Sequence, residues 1–441
     1  MEKEISLKNL FFPIYINMLL SLSTVMANTF MMSMIDPRLV GAMGAGNQVM
    51  VLFQTVFNLL AVGCSIVVAQ AIGAKNRRLS IKAVHVSISF NFVVGFISGI
   101  FVFFGAFFML HMLQVPDGVF DESYHYLRVI SIALIFDALA IVLIAVIRAY
   151  GYATYTMIAA ICISVLTILG NYIALFEPFG IPYYGLEGVG YSTIFGRFIG
   201  VIILFVLLIK VVKFKIYMRF FFKIPLYVLS KIIKIGLPAA GEEAVWTIQY
   251  LTAFAFVASM GESSLATQTI YFQISAFIFF ASAAIGLANE IIVARLIGSG
   301  ENEKAYHTTF RNLFIGLVTT ALFLVVIFSL KHNIMRALNL TPDIVKLMLP
   351  LFTLSIFLEL SRTLNVIMVN AIRATGDAKF PFYMGVIFML GVSLPVGWYL
   401  GIHLEWGILG VWIGFVADEF LRGLAHLLRW KSKKWQGKQL V

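Results

Sequence analysis

The sequence predicts an all-α polytopic membrane protein, with about twelve transmembrane helices in two six-helix lobes related by a parallel, pseudo-twofold repeat. Three observations carry this expectation. Of the 441 residues, 61% are hydrophobic and 12% charged, whereas a soluble domain uses about 25% charged residues to face water. The apolar runs are continuous and as long as a spanning helix, which needs about 20 residues, and they lack the period-2 alternation of barrel strands. The chain also repeats itself at an offset of 225 residues.

The first run, 8–34, exceeds the roughly 7–15-residue core of a signal peptide, so it reads as a retained span. Runs at 47–72 and 83–110 follow, separated by Lys75, Arg77, Arg78 and Lys82. The fourth, 125–147, contains Asp137 and ends at Arg148; the fifth and sixth, 155–176 and 188–209, complete an N-terminal lobe over 1–209. A basic, proline-containing stretch, 210–234, is the linker. The second lobe, 235–430, holds runs at 236–260, 264–294, 308–330, 346–372, 380–400 and 407–428, and a basic tail occupies 431–441. Cys64 and Cys162 fall inside runs, where cysteine is a small packing residue.

Shifting the chain by 225 places Pro13 on Pro238, Gln48 on Gln273, Ala69 on Ala294 and Gly73 on Gly298. It also places Ile147-Arg148-Ala149 and Gly151 on Ile372-Arg373-Ala374 and Gly376. Two parallel halves, each with an even number of spans, are a pattern of secondary transporters with the substrate site between them.

The formal charge of +11 is explained by where the basic residues fall. Of the 32 Lys and Arg, 25 lie on the side that holds both termini, four (Arg38, Lys331, Arg336, Lys346) on the other, and three (Arg128, Arg197, Arg362) inside spans. The positive-inside rule then puts both termini and the linker in the cytoplasm of a multi-pass protein of the cell (inner) membrane. Anionic lipid headgroups are the partner of that basic surface, and nucleic acid is not. Cysteines introduced at Lys3, Lys223 and Lys433 are expected to escape an impermeant thiol reagent in intact cells. Labelling at any one of them overturns the topology.

The sequence contains no GxxxxGK[ST] phosphate loop, HExxH or CxxC, and its seven histidines sit mostly at span ends, never at ligand spacing. An enzyme, a metal site and a bound cofactor are therefore not expected. The energy source would be a proton or sodium gradient, and coupling to it requires an ionisable group within the membrane, where burying charge is costly enough to imply function. Asp137, Glu242, Glu243, Glu290, Glu359, Asp418 and Glu419 qualify.

Glu242 and Glu243 follow Pro238 early in the seventh span and point about 100° apart, so at most one looks straight into a cavity. The repeat partner of Glu242 is Asn17, a polar residue at the same point after Pro13, which favours Glu242; the competing reading is a hydrogen bond inside its own lobe. Glu359 and Arg362, three apart on one helical face, can neutralise each other. Asp137 and Arg362 are also repeat partners, which makes them a candidate gate across the pseudo-twofold axis. Asp418, Glu419 and Arg422, near the end of the last span, read as a surface anchor, with Trp430 and Trp435 in the interfacial aromatic belt. Glu290 reads as snorkelling to the surface beside Arg295.

Several stretches together resemble the multidrug and toxic compound extrusion (MATE) family, within the larger group that includes lipid-linked oligosaccharide flippases. They are Pro13, Asn28-Thr29-Phe30-Met31-Met32-Ser33 running into Val40-Gly41-Ala42-Met43-Gly44, Val68-Ala69-Gln70-Ala71-Ile72-Gly73, Ile147-Arg148-Ala149-Tyr150-Gly151, Asn171 and Gly185-Leu186-Glu187-Gly188. The second lobe adds Ile235-Gly236-Leu237-Pro238, Val293-Ala294-Arg295-Leu296-Ile297-Gly298 and Ile372-Arg373-Ala374-Thr375-Gly376-Asp377. The resemblance implies that the first lobe lacks its family's acidic cation site. Asn28 stands where many members have aspartate, Leu175 where one branch has a second aspartate, and only Thr193 matches another polar position of that site. In the second lobe Trp246 replaces one branch's glutamate, whereas Glu242 matches the glutamate of other members.

The expected activity is export of amphipathic, cationic small molecules by a cation-coupled antiporter, acting as a monomer and leaning to protons over sodium. Glu242 is the leading ion or substrate residue, supported by Asp137, Arg362, Glu359 and Glu243; Asn17, Asn28, Asn171, Thr193, Gln48 and Gln273 are the expected polar cavity lining. The rivals are a lipid-linked precursor flippase, which would need unpaired Arg and Lys in its cleft, and an integral membrane acyltransferase, against which the histidine placement argues.

Overall fold

The computed structural model describes residues 5–176, 178, 182–222 and 225–441; Lys3 and Lys223, the first two topology markers, lie outside them. The described chain is helical nearly throughout. Leu7–Ile35 (α1), Pro37–Gly73 (α2) and Arg77–Met112 (α3) lead to Phe120–Ser131 (α4) and Ala133–Ala149 (α5), then Ala153–Phe176 (α6) and Gly185–Lys210 (α7). After the short Met218–Phe222 (α8) come Leu226–Ala258 (α9), Glu262–Gly298 (α10), Asn302–Ala337 (α11) and Pro342–Ala374 (α12). Lys379–Gly385 (α13) continues through a π-helix, Val386–Ser393, into Leu394–Trp398 (α14) and a second π segment, Tyr399–His403, before Gly407–Lys431 (α15).

Among the described residues nine of these segments are long and apolar enough to cross a membrane, and α4 with α5, bent by 48°, makes a tenth. The remaining two of the expected twelve are α9 and α15, of 33 and 25 residues. Both are long enough; they are less apolar because each carries buried charge, Glu242 on one and Asp418, Glu419 and Arg422 on the other. The offset of 225 holds for helix boundaries as well: α2 and α10 both run 37 residues, and α3 and α11 both run 36. Gly151 and Gly376 occupy equivalent turns with φ of 90° and 102°, a conformation open to glycine that ends a helix after the Ile-Arg-Ala triplet.

The chain divides into two compact units at Gly236 and Leu237, the second unit also taking Ser6–Phe11 and Gly73–Lys75. In the first, Met50, Phe57, Val102, Leu110, Leu127 and Leu134 form a core among α2 to α5. In the second, Tyr271 meets Trp412 edge-on at 4.6 Å, and the Trp412 indole N–H donates to Gln268 Oε1 at 2.7 Å. Small residues let backbones approach where lipid supplies no hydrophobic drive between helices. A Cβ on Gly414 of α15 would collide with the Ser393 carbonyl oxygen. The π segments flank Pro395, which has no N–H to give the preceding turn.

The tail departs from expectation. Trp430 and Trp435 are buried, stacked at 4.4 Å, and the Trp435 indole donates to the Trp430 carbonyl at 3.0 Å. Neither ring belongs to an interfacial belt. Asp377 holds this segment by accepting from Arg429 at 2.8 Å and Lys438 at 2.7 Å.

Candidate functional site

Glu242 lies on α9, five residues before Thr247 and one turn past Pro238, and it is buried. Its Oε2 accepts from Arg373 Nη2 of α12 at 2.6 Å, and its Oε1 lies 3.6 Å from Arg422 Nη1 of α15. Gly385, the last residue of α13, makes the room: a Cβ there would sit 3.1 Å from Glu242 Cγ. The buried Glu290 of α10 acts electrostatically on Arg373. It does not reach the surface, because the end of α10 is enclosed by its own unit. Glu243 points away and is exposed.

Arg422 continues the network, meeting Asp418 Oδ2 at 2.8 Å and Glu419 Oε2 at 3.4 Å. Gln249 donates to Asp418 at 3.2 Å, and Asn365 donates to Glu419 at 2.7 Å while its Oδ1 accepts from His426 Nδ1 at 2.9 Å. Arg362 donates to Glu359 at 2.9 Å and Ser275 Oγ at 3.0 Å, with its Nε 3.5 Å from Glu419 Oε1; the Ser275 hydroxyl donates to Glu359. The surface-anchor expectation for Asp418, Glu419 and Arg422 is thus corrected: their exposures are 0%, 6% and 3%. Charges near a span end usually reach water, but these face α9 and α12.

The charges in this buried group do not balance. Among the described residues, Glu242, Glu290, Glu359, Asp418 and Glu419 face only Arg362, Arg373 and Arg422 as cationic partners. Among the described residues Glu359 Oε2 and Asp418 Oδ1 are buried with no hydrogen-bond donor. Buried carboxylates in excess of their counter-ions are costly unless a cation joins them.

The first unit is built differently. The repeat places Asn17 at Glu242, Ser65 at Glu290 and Leu134 at Glu359. For α7 and α15 the offset is 222, because Gly185 and Gly407 open them with φ of 57° and 60°. That register sets Gly196 and Gly200 where Asp418 and Arg422 stand. Almost the whole acidic network is therefore confined to the second unit.

One feature survives in both units with its charge reversed. Asp137 of α5 bonds Arg197 of α7 and accepts from Gln54 Nε2 at 2.9 Å. Arg362 and Glu419, at the equivalent positions, pair at 3.5 Å. Asp137 and Arg362 are thus each neutralised inside their own unit. Of the expected polar lining, Asn171 donates to Asn28 at 2.8 Å and the Thr193 hydroxyl bonds its own helix at Val189 O. Among the described residues nothing accepts from the buried Asn17 Nδ2, and Gln48 and Gln273 are exposed.

The family model MatE matches residues 13–173 and 238–399, two segments whose starts are one repeat apart. "Uncharacterized transporter YisQ" of Bacillus subtilis (strain 168) is 33% identical over 98% of this chain and 95% of its own length. "Probable multidrug resistance protein NorM" of Thermotoga maritima is 26% identical over 94% and 89%. A crystal structure of a MATE protein in the bent conformation superposes with a TM-score of 0.88 at 17% identity, covering 97% of this chain and 94% of that one, and shows the same fold. From the repeat, the helical architecture and these matches together, the chain belongs to the multidrug and toxic compound extrusion (MATE) family of transporters.

Proposed function

We propose that this chain is a proton-coupled antiporter that exports amphipathic, cationic organic compounds by alternating access, with coupling seated in the second unit. The observation that carries the reading is the buried excess of carboxylates over guanidiniums around Glu242, Glu359 and Asp418, set against the neutral Asn17, Leu134 and Gly196 of the first unit. A site that gains and loses a cation can bias two conformations only through differential affinity for them. This group meets that need, since a proton removes an uncompensated buried charge. Protons are favoured over sodium because a proton on one carboxylate removes the uncompensated buried charge outright, with no set of oxygen ligands to assemble around it. The substrate class is supported by relatives whose names carry multidrug resistance, and the acidic network suits a cation. A flippase would need unpaired cations in the spans, but Arg197 and Arg362 are paired and Arg128 lies over the Phe103 ring at 4.3 Å. The termini and linker are cytoplasmic in this reading.

Purified protein in proteoliposomes, with pH and sodium gradients imposed independently, tests it. One-for-one exchange with protons gives up to about tenfold accumulation of a lipophilic cation per pH unit, since one unit is worth about 1.4 kcal/mol. Accumulation driven by sodium alone, or by neither gradient, overturns the reading.

A further inference from the structure

The repeat that sets Glu242 beside Arg373 also exposes a cation left without its carboxylate in the first unit. Arg148, at the end of α5, is the counterpart of Arg373, and the counterpart of Glu242 is Asn17. In the second unit the guanidinium is held by Glu242 at 2.6 Å and shares the charges of Glu290 and Glu243. In the first unit the corresponding positions hold Asn17, Ser65 and Met18, none of them charged. Among the described residues the hydrogen bond of the Arg148 side chain is a long one, from Nε to the Thr156 hydroxyl at 3.4 Å, and no acidic group acts on it. Among the described residues its two terminal nitrogens make no hydrogen bond, and the residue is half-buried. Asn17, at the position equivalent to Glu242, has a buried Nδ2 with no acceptor among the described residues.

Proximity of Arg148 to the C-terminal dipole of α5 is one source of compensation. Arg373 has the same place at the end of α12 and still takes a carboxylate, so the dipole alone does not satisfy this position. Among the described residues, arginines deeper in the helices than Arg148 have partners: Arg197 has Asp137, Arg362 has Glu359, Arg422 has Asp418, and Arg128 lies over Phe103.

We infer that Arg148 is the anchor of an oxyanion site in the first unit, taking a phosphate group where the second unit supplies its own Glu242. A guanidinium presents paired N–H donors that match phosphate oxygens. In the proposed orientation Arg148 lies at the cytoplasmic membrane edge, where the phosphate comes either from an anionic lipid headgroup or from free phosphate.

Thermal unfolding of the full-length protein in detergent, titrated in separate arms with phosphatidylglycerol and with inorganic phosphate at constant ionic strength, tests this. Wild type is expected to be stabilised in a saturable manner. Stabilisation by phosphatidylglycerol alone identifies the lipid source, and by inorganic phosphate the free one. Arg148→Gln is expected to weaken the dissociation constant at least about tenfold, as loss of one charge-assisted pair does. Asn17→Glu keeps the arginine, installs the carboxylate of the second unit, and is expected to abolish the ligand shift while leaving the protein folded; it serves as the test if Arg148→Gln fails to fold. Absence of stabilisation of wild type by both probes overturns the site, as does an unchanged titration in Arg148→Gln or, where that variant is unfolded, in Asn17→Glu.

Discussion

Glu242→Gln is expected to eliminate gradient-driven export while the protein stays folded and still binds substrate. Glutamine keeps the shape of the side chain over Gly385 and one acceptor for Arg373, and Arg373 retains the charge of Glu290. What is lost is the exchangeable charge between Arg373 and Arg422. A coupling free energy between two ligands is typically about 1–3 kcal/mol, or about 5- to 150-fold in affinity, so uphill transport should fall by at least about tenfold, to the passive leak. Glu243→Gln, on another face of the same helix, should be much milder, because Glu243 forms no ion pair among the described residues and acts on Arg373 only through space. Efflux measured in energised vesicles, with substrate binding to the detergent-solubilised variant as the folding control, separates the two. Uphill transport at the wild-type rate by Glu242→Gln under both a proton and a sodium gradient would remove Glu242 from the coupling role and turn attention to Glu359 and Asp137.

How much of this was legible from the sequence depends on whether the signal was periodic or local. The spans, their number and the two-unit repeat follow from hydropathy and from the 225-residue offset, and the helix boundaries of α2 with α10 and α3 with α11 repeat at that offset. Glu242 was legible as a polar position because its partner Asn17 follows an equivalent proline, while its bond to Arg373 inside its own unit matches the competing reading. The bend between α4 and α5 and the π segments around Pro395 were not, since they answer to packing between helices and leave no period in the sequence. Asp418, Glu419 and Arg422 were misread because charges at the end of a span ordinarily reach water, and only the glycines facing α14 reveal which side of α15 is enclosed. The equivalence of Arg197 and Glu419 was hidden by a change of register, since α7 and α15 align at an offset of 222 and not 225.

That register makes a second variant informative. Asp137→Asn should destabilise the protein by about 3 kcal/mol, the lower end for a broken buried pair, because it leaves the partly buried Arg197 without its counter-ion. The second unit already contains the opposite polarity on the same two helices, with Arg362 on the fourth-span helix and Glu419 on the last. The backbone spacing therefore accommodates an arginine on the first and a glutamate on the second. Asp137→Arg combined with Arg197→Glu should recover most of the lost stability, and the recovery should be incomplete for an identifiable reason. Arg362 is also held by Glu359 and Ser275, whose counterparts in the first unit are Leu134 and Met50, so an arginine at 137 would gain one partner where Arg362 has three. Thermal unfolding of the two single variants and the reversed pair, each in detergent, measures the coupling directly. A reversed pair no more stable than the worse single variant would mean that the two bridges are not structural equivalents. A reversed pair restored to within about 1–2 kcal/mol of wild type would establish that these positions require a neutralised pair and not a particular sign at either end.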